Sequence, residues 1–280
     1  MIKFIADSSG DMTAYKGVNF ETVALKIDTD RFSYTDDKDI NIPEMLNALE
    51  KYKGRSYSAC PSTECWLQAY AGGDEIYVVT MTSELSGTYN SAMVAKKMYL
   101  EKNPDAKIEI FDTLSTGPEI RLVIEKLVEL KQKGWDFDRV CKEVKEYMGK
   151  TRLFFSFLSI HNLAQNGRVS KIIASAVGVL GISIIGTAST RGKIEPITKC
   201  RGDRKVISKL LEELKKAGYA GGKLRISHIE NSKLARRVIE AVKETYGNAD
   251  AIMYEARGLC SYYGERGGII IGCECTKSFA

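Results

Sequence analysis

Residues 75–88 read Glu75-Ile76-Tyr77-Val78-Val79-Thr80-Met81-Thr82-Ser83-Glu84-Leu85-Ser86-Gly87-Thr88. An apolar run rich in β-branched residues, Glu75–Met81, gives way to a hydroxyl-rich turn and then to a helical pattern. Ser86 and Thr88 bracket Gly87 at the expected helix start, so hydroxyls and unpaired backbone N–H groups face one point. The positive end of the helix dipole favours negative charge there. One reading is a cradle for a small anionic group. Plain helix capping, with Gly87 easing a tight turn, explains the same residues.

The design occurs twice more: Met1–Ala6 runs into Asp7-Ser8-Ser9-Gly10-Asp11, and Ile108–Phe111 into Asp112-Thr113-Leu114-Ser115-Thr116-Gly117. Around these strands the pattern predicts further strands at Thr22–Ile27 and Phe32–Tyr34. Helices are expected at Ile42–Tyr52, Ser62–Tyr70, Ser86–Asn103, Gly117–Lys133 and Phe137–Gly149. Repeated strand–helix units imply a parallel sheet covered on both faces. After Lys150 the pattern changes. Strands are expected at Leu153–Leu158, Ile182–Ala188, Lys193–Lys199, Lys223–Ile229, Ala251–Glu255 and Gly267–Gly272, with Gly192 turning a hairpin. Helices are expected at His161–Asn166, Lys171–Leu180, Arg204–Ala217 and Ser232–Tyr246. The expected fold is α/β in two domains. Residues 1–150 form a three-layer α/β/α unit on a parallel sheet, and residues 151–280 form a two-layer α/β unit on a mixed sheet. In open α/β sheets ligands sit beyond the carboxyl ends of the strands, where all three polar turns lie. A cleft between the domains is the expected site.

Bulk properties exclude several function classes. The 280 residues carry 41 basic and 36 acidic side chains, a surplus too small and too dispersed for a nucleic-acid-binding face. Arg201–Lys205 and Lys233–Arg237 read as solvated helix ends. The longest apolar run, Ile172–Ala188, is broken by serines and glycines and is too short to span a bilayer. Transient contact with a membrane remains compatible with it. Seven cysteines, an odd number, with no recognisable secretory leader, imply reduced thiols and a cytoplasmic protein. Their spacings suit no zinc site, and no metal or covalently bound cofactor is expected.

Candidate ligand-binding residues gather in four places. Ser58-Ala59-Cys60-Pro61-Ser62 precedes a helix and offers hydroxyls to an anion, or else simply caps the helix. Ser86-Gly87-Thr88 is the cradle described above. In Asn166-Gly167-Arg168, Arg168 supplies a positive charge for a carboxylate or phosphate, or is a surface arginine after a helix-stopping glycine. Ile172–Ala188 suits the lining of an apolar tunnel as well as core packing. Catalytic motifs are missing: there is no nucleotide phosphate loop, no H-E-x-x-H and no G-x-S-x-G. His228 ends an expected strand without a nucleophile to pair with. A binding protein fits this silence better than a self-sufficient enzyme.

Taken together, these residues resemble the DegV family over nearly the whole chain. Ala6-Asp7-Ser8-Ser9-Gly10-Asp11-Met12 is similar to the family start T-D-S-T-S-D-L-P, and Leu85-Ser86-Gly87-Thr88-Tyr89-Asn90-Ser91-Ala92 to L-S-G-T-Y-Q-S-A. Gln165-Asn166-Gly167-Arg168-Val169-Ser170-Lys171 resembles K-G-G-R-I-S/G-K. Gly192-Lys193-Ile194 and Lys199-Cys200-Arg201-Gly202 follow its G-K-I and K-V-R-G pieces.

The resemblance implies two α/β domains with a fatty acid between them. It also implies service as the fatty-acid-binding subunit of a bacterial fatty acid kinase, in which a separate ATP-dependent subunit phosphorylates a palmitate-like chain. Carried over, the carboxylate ligands are Ser58, Ser86 with Gly87, and Arg168, with Ser62 and Thr88 as head-group neighbours. Ser58 replaces a family threonine and Cys60 a glutamine. The family histidine falls on Gly264, which leaves Tyr263 or Arg266 to take over its bond. Burying about a dozen methylenes gains on the order of 10 kcal/mol, less the costs of association and ordering. The competing expectation is an enzyme or kinase-like subunit that holds a small phosphorylated or polar ligand at the same hydroxyls.

Overall fold

The computed structural model describes residues 1–169, 181–247 and 249–278. The expected helix Lys171–Leu180, and with it most of the expected tunnel segment Ile172–Ala188, lies outside the described residues.

Four parallel strands form the first sheet, in the order β2-β1-β6-β7: β1 (Ile2–Asp7), β2 (Phe20–Val23), β6 (Glu75–Thr80) and β7 (Lys107–Asp112). Alternation along these strands sends side chains to two cores. Ile5, Ile76, Val78, Ile108 and Ile110 pack against α2 (Thr63–Tyr70) and α3 (Thr88–Lys102). Phe4, Ala6, Tyr77, Val79 and Phe111 pack against α4 (Pro118–Gln132) and α5 (Phe137–Met148). Both faces are covered, which gives the three-layer α/β/α arrangement that the repeated strand–helix units imply.

The second sheet has six strands in the order β10-β9-β8-β13-β11-β12. They are β8 (Thr151–Phe157), β9 (Ile182–Ala188), β10 (Ile194–Arg201), β11 (Lys223–His228), β12 (Asp250–Glu255) and β13 (Ile269–Glu274). Only β11 and β12 pair in parallel, so the sheet is mixed. Its helices α7 (Asp203–Lys216) and α8 (Ser232–Tyr246) cover one face, through Phe154, Ile185, Leu224, Ile226, Ile269 and Ile271. The other face presents Leu153, Phe155, Phe157, Ile184 and Ile270 towards the rest of the molecule. The C-terminal strand is central, between β8 and β11, and begins at Ile269 instead of Gly267. Gly267 and Gly268 turn the chain instead; a Cβ on Gly268 would lie 2.5 Å from the carbonyl oxygen of Gly264.

A third sheet was not expected. It is antiparallel and small, with order β4-β3-β5: β3 (Lys26–Asp28), β4 (Ser33–Thr35) and β5 (Tyr57–Ala59). The segment Thr22–Ile27, expected as one strand, is two strands in two sheets. Leu25 is the switch: its N–H donates to Ser8 Oγ (3.1 Å), and its carbonyl accepts the Asp36 N–H (2.9 Å). Its backbone groups therefore leave both ladders. Helix α1 (Ile42–Lys51), capped by Asn41 Oδ1 on the Glu44 N–H (3.1 Å), packs nearby. Two short α-helices, α6 (His161–Gln165) and α9 (Gly258–Gly264), and a 3-10 turn at Ser8–Gly10 complete the described elements.

Candidate ligand site

A cavity of about 770 Å³, its mouth included, lies where the three sheets meet. One side comes from β8, whose Leu153, Phe155 and Phe157 point the same way and span about 13 Å of strand. Leu25, Met81, Leu85, Leu163, Ile194, Leu259 and Ile270 complete the apolar wall.

Polar residues interrupt this wall in several places, among them Thr82, Ser115, Thr116, Thr187 and Lys193. Ser58, Ser86, Arg168 and Tyr263 all line this one cavity. Ser58 sits on the edge strand β5, and its hydroxyl meets the Tyr263 hydroxyl at 2.7 Å. Burial pushes the Tyr263 phenol above its ordinary pKa, while the Ser58 bond and the charge of Arg168 pull it back. The phenol therefore remains a neutral hydrogen-bond donor. Ser86 lies just before α3, whose N-cap is Gly87 without a side-chain cap bond. The expected helix Ser86–Asn103 thus starts two residues late, at Thr88. The reason is that the Ser86 hydroxyl accepts the Thr88 N–H (3.3 Å) and bonds Thr88 Oγ1 (2.8 Å), which holds Ser86 outside the helix. Arg168 anchors its Nε to the Leu85 carbonyl (3.1 Å) and its Nη1 to that of Asn166. It forms no ion pair with a carboxylate among the described residues.

The remaining candidates divide. Gly87 borders the mouth without lining the cavity: a Cβ there would approach Cys60 Sγ at 3.2 Å, so the turns carrying Ser58 and Ser86 touch. Thr88 is wholly buried behind Ser86. Ser62 is exposed and caps α2 through the Cys65 N–H (3.4 Å). Arg266 is not brought to the mouth. Its guanidinium is held by Glu50 (2.6 Å), Glu230 (2.8 Å) and Asn47 (2.8 Å) on the outside. Gly264 lines the cavity, but a Cβ there would lie 2.8 Å from Ile229 Cδ1 and 3.0 Å from Phe157 Cε1. Those two side chains already fill the space a larger residue would need.

Sequence reasoning missed several parts. Near the Leu153 end the lining includes Ser115, whose hydroxyl donates to the buried Glu119 carboxylate; Thr151 donates to the other oxygen of the same carboxylate. The helix α9, which carries Leu259, Cys260, Tyr263 and Gly264 into the lining, was also missed. It is seven residues long, glycine-bounded and buried almost all round, so it has no polar face to reveal a helical period.

Comparison with known proteins places this architecture. The family model described as uncharacterised protein, DegV family, matches residues 1–271. A DegV domain-containing protein of Streptococcus gordonii is 41% identical over 276 residues, covering 97% of this chain and 98% of that protein. Among solved structures, a DegV family protein from Eubacterium eligens loaded with heptadecanoic acid is 51% identical. It superposes with a TM-score of 0.97 over 99% of this chain and 100% of its own. The Streptococcus pneumoniae Fatty Acid Kinase (Fak) B3 protein loaded with linoleic acid is 39% identical, with a TM-score of 0.95, over 98% and 99% of the two chains. On the full-length family match and these similarities, the chain belongs to the DegV family.

Proposed function

We propose that this protein binds a long-chain fatty acid in the cavity between its sheets and presents the carboxylate to a separate ATP-dependent fatty acid kinase. One observation carries the reading: a largely apolar cavity whose lining brings together Ser58, Ser86, Arg168 and Tyr263, a set that suits a single acid group. The acyl chain lies along Leu153, Phe155 and Phe157. Burying about a dozen methylenes supplies on the order of 10 kcal/mol before association costs, so the head group chiefly sets orientation.

Ser58, Ser86 and Tyr263 donate hydroxyl hydrogen bonds to the carboxylate, and the guanidinium of Arg168 balances its charge. Tyr263 takes the bond for which Gly264 has no side chain. The chain supplies binding and presentation; the chemistry of phosphorylation belongs to the partner. The related proteins loaded with heptadecanoic and linoleic acid support the ligand, and the likeness to the Fatty Acid Kinase B3 protein supports the partner. Seven free cysteines suit the reducing cytoplasm. The rival reading, a small phosphorylated ligand, is less well served by walls this apolar.

The test is mass spectrometry of an organic extract of the purified protein, followed by binding of palmitic acid to delipidated protein. An acyl chain in the extract and saturable binding are expected. No acyl chain in repeated preparations, together with no binding, would overturn the proposal.

A further inference from the structure

The three-stranded sheet and α9 are joined at fixed points along the helix. Asp36, just beyond β4, is wholly buried. Its Oδ1 accepts the Gly258 N–H (2.7 Å) and its Oδ2 the Leu259 N–H (2.9 Å), while the Arg257 N–H goes to Asp11 Oδ1 (2.7 Å). The first N–H groups of a helix have no partner within the helix, and Asp36 fills two of them from another part of the chain. Further along α9, the Tyr262 hydroxyl meets Ser56 Oγ (2.8 Å) and the Tyr263 hydroxyl meets Ser58 Oγ (2.7 Å).

Ser58 lies in the small sheet and Asp36 directly follows its strand β4. Ser58 pairs with Ile27, Ile27 pairs with Tyr34, and Asp36 follows Tyr34 by two residues. The sheet thus grips α9 at Gly258 and at Tyr263, about 7 Å apart along the helix axis. There is no slack at the first grip: a Cβ on Gly258 would lie 2.7 Å from Asp36 Oδ1 and 2.7 Å from Ile40 Cδ1.

We propose that Asp36 is a positioning residue for the head-group site. By fixing the start of α9 to the sheet that carries Ser58, it sets where the Tyr263 hydroxyl stands beside a bound carboxylate. Asp36 is not among the cavity-lining residues and acts only through the helix. The inference rests on the fatty-acid reading above.

The experiment compares palmitic acid with methyl palmitate, two probes with the same chain and different heads, on delipidated protein. Asp36→Asn keeps the side chain's size but turns one acceptor into a donor facing an N–H. The preference for acid over ester is expected to fall about tenfold, the scale of one hydrogen bond to a charged group, with methyl palmitate affinity unchanged. Tyr263→Phe is expected to cause a similar fall, and the double variant no larger one, because both changes remove the same alignment.

An unchanged preference in folded Asp36→Asn, or equal weakening of both probes, would overturn the proposal. So would additive losses in the double variant. If Asp36→Asn does not fold, Gly258→Ala decides. It pushes the helix start off Asp36 while keeping every N–H, and the same fall in preference is expected, with an unchanged preference overturning the proposal. If the unsubstituted protein binds neither probe, the fatty-acid reading itself fails, a result distinct from any of these.

Discussion

Two helices join the sheets, with different emphasis: α4 joins the four-stranded to the six-stranded sheet, and α9 joins the small sheet to the six-stranded one. Helix α4 lies on the second sheet by close packing, reinforced by a buried ion pair. Gly272 of β13 approaches its first turn so nearly that a Cβ would meet the Glu119 nitrogen and the Pro118 carbonyl carbon at 2.7 Å. Beside that contact, Arg225 of β11, 5% exposed, donates from Nη2 (2.7 Å) and Nε (2.9 Å) to the two oxygens of Glu125. Helix α9 has few such contacts with the first sheet and is held instead by hydrogen bonds to Asp11, Asp36, Ser56 and Ser58. Packing resists sliding only as far as shapes interlock, whereas hydrogen bonds weaken steeply with misalignment. The molecule thus uses α4 to hold its parts together and α9 to aim a hydroxyl.

The comparison breaks most readily at α4. Glu125→Ala leaves Arg225 buried with only Asp250 to pair it, through Oδ2 (3.0 Å). Removing one partner of a buried ion pair typically costs about 3–5 kcal/mol. A urea titration is expected to show a loss near the lower figure, and no loss would mean that the pair is not the tie.

At α9 and the turn Ser8–Gly10 beside it the sensitivity is to pH. Burial pushes Asp7 up to about 6 and Asp11 up to about 7, against backbone N–H bonds that pull both down. Both values lie above those of an unfolded carboxylate, so the folded chain keeps protons that the unfolded chain releases. This stabilisation is complete below about pH 4 and is lost as the pH rises through 6 and 7. His228, lowered by burial, works the other way in the same window. Stability is expected to fall by about 4 kcal/mol between pH 5 and pH 8, less the histidine's share. Asp11→Asn should flatten the slope, and an unchanged slope in that variant would remove Asp11 from the account.

Gly272→Ala tests the packed contact directly. The opposing atoms are helix backbone and cannot step aside, so about 2 kcal/mol of destabilisation is expected, with ligand affinity preserved in the folded fraction. Smallest in energy is Ser86→Ala. It is expected to weaken palmitic acid about tenfold through one lost hydrogen bond to a charged group while leaving the denaturation midpoint of the delipidated protein nearly unchanged. Equal affinity would remove Ser86 from the head-group site.

Much of this architecture was legible in the sequence because it rests on local pattern. Each long strand alternates or runs apolar, each long helix has a stripe, and the hydroxyl-rich turns follow β1, β6 and β7 where the parallel topology puts them. What escaped was short and decided by distant partners. The break at Ala24-Leu25 has no turn residue to announce it; Ser8 and Asp36 make it, from 17 and 11 positions away. The small sheet and α9 are too brief to carry a period. At the site, Ser58, Ser86, Arg168 and Tyr263 were named from motifs and line one cavity. Arg266 was named for its place in the sequence, and the carboxylates of Glu50 and Glu230 hold it elsewhere.

The crowding around Gly264 couples this position to the shape of the cavity. A Cβ there would lie 2.8 Å from Ile229 Cδ1 and 3.0 Å from Phe157 Cε1. Both are outer atoms of side chains, so a larger residue at 264 enters only by turning them aside. Phe157 itself lines the cavity, so any side chain added at 264 reshapes the wall as it arrives.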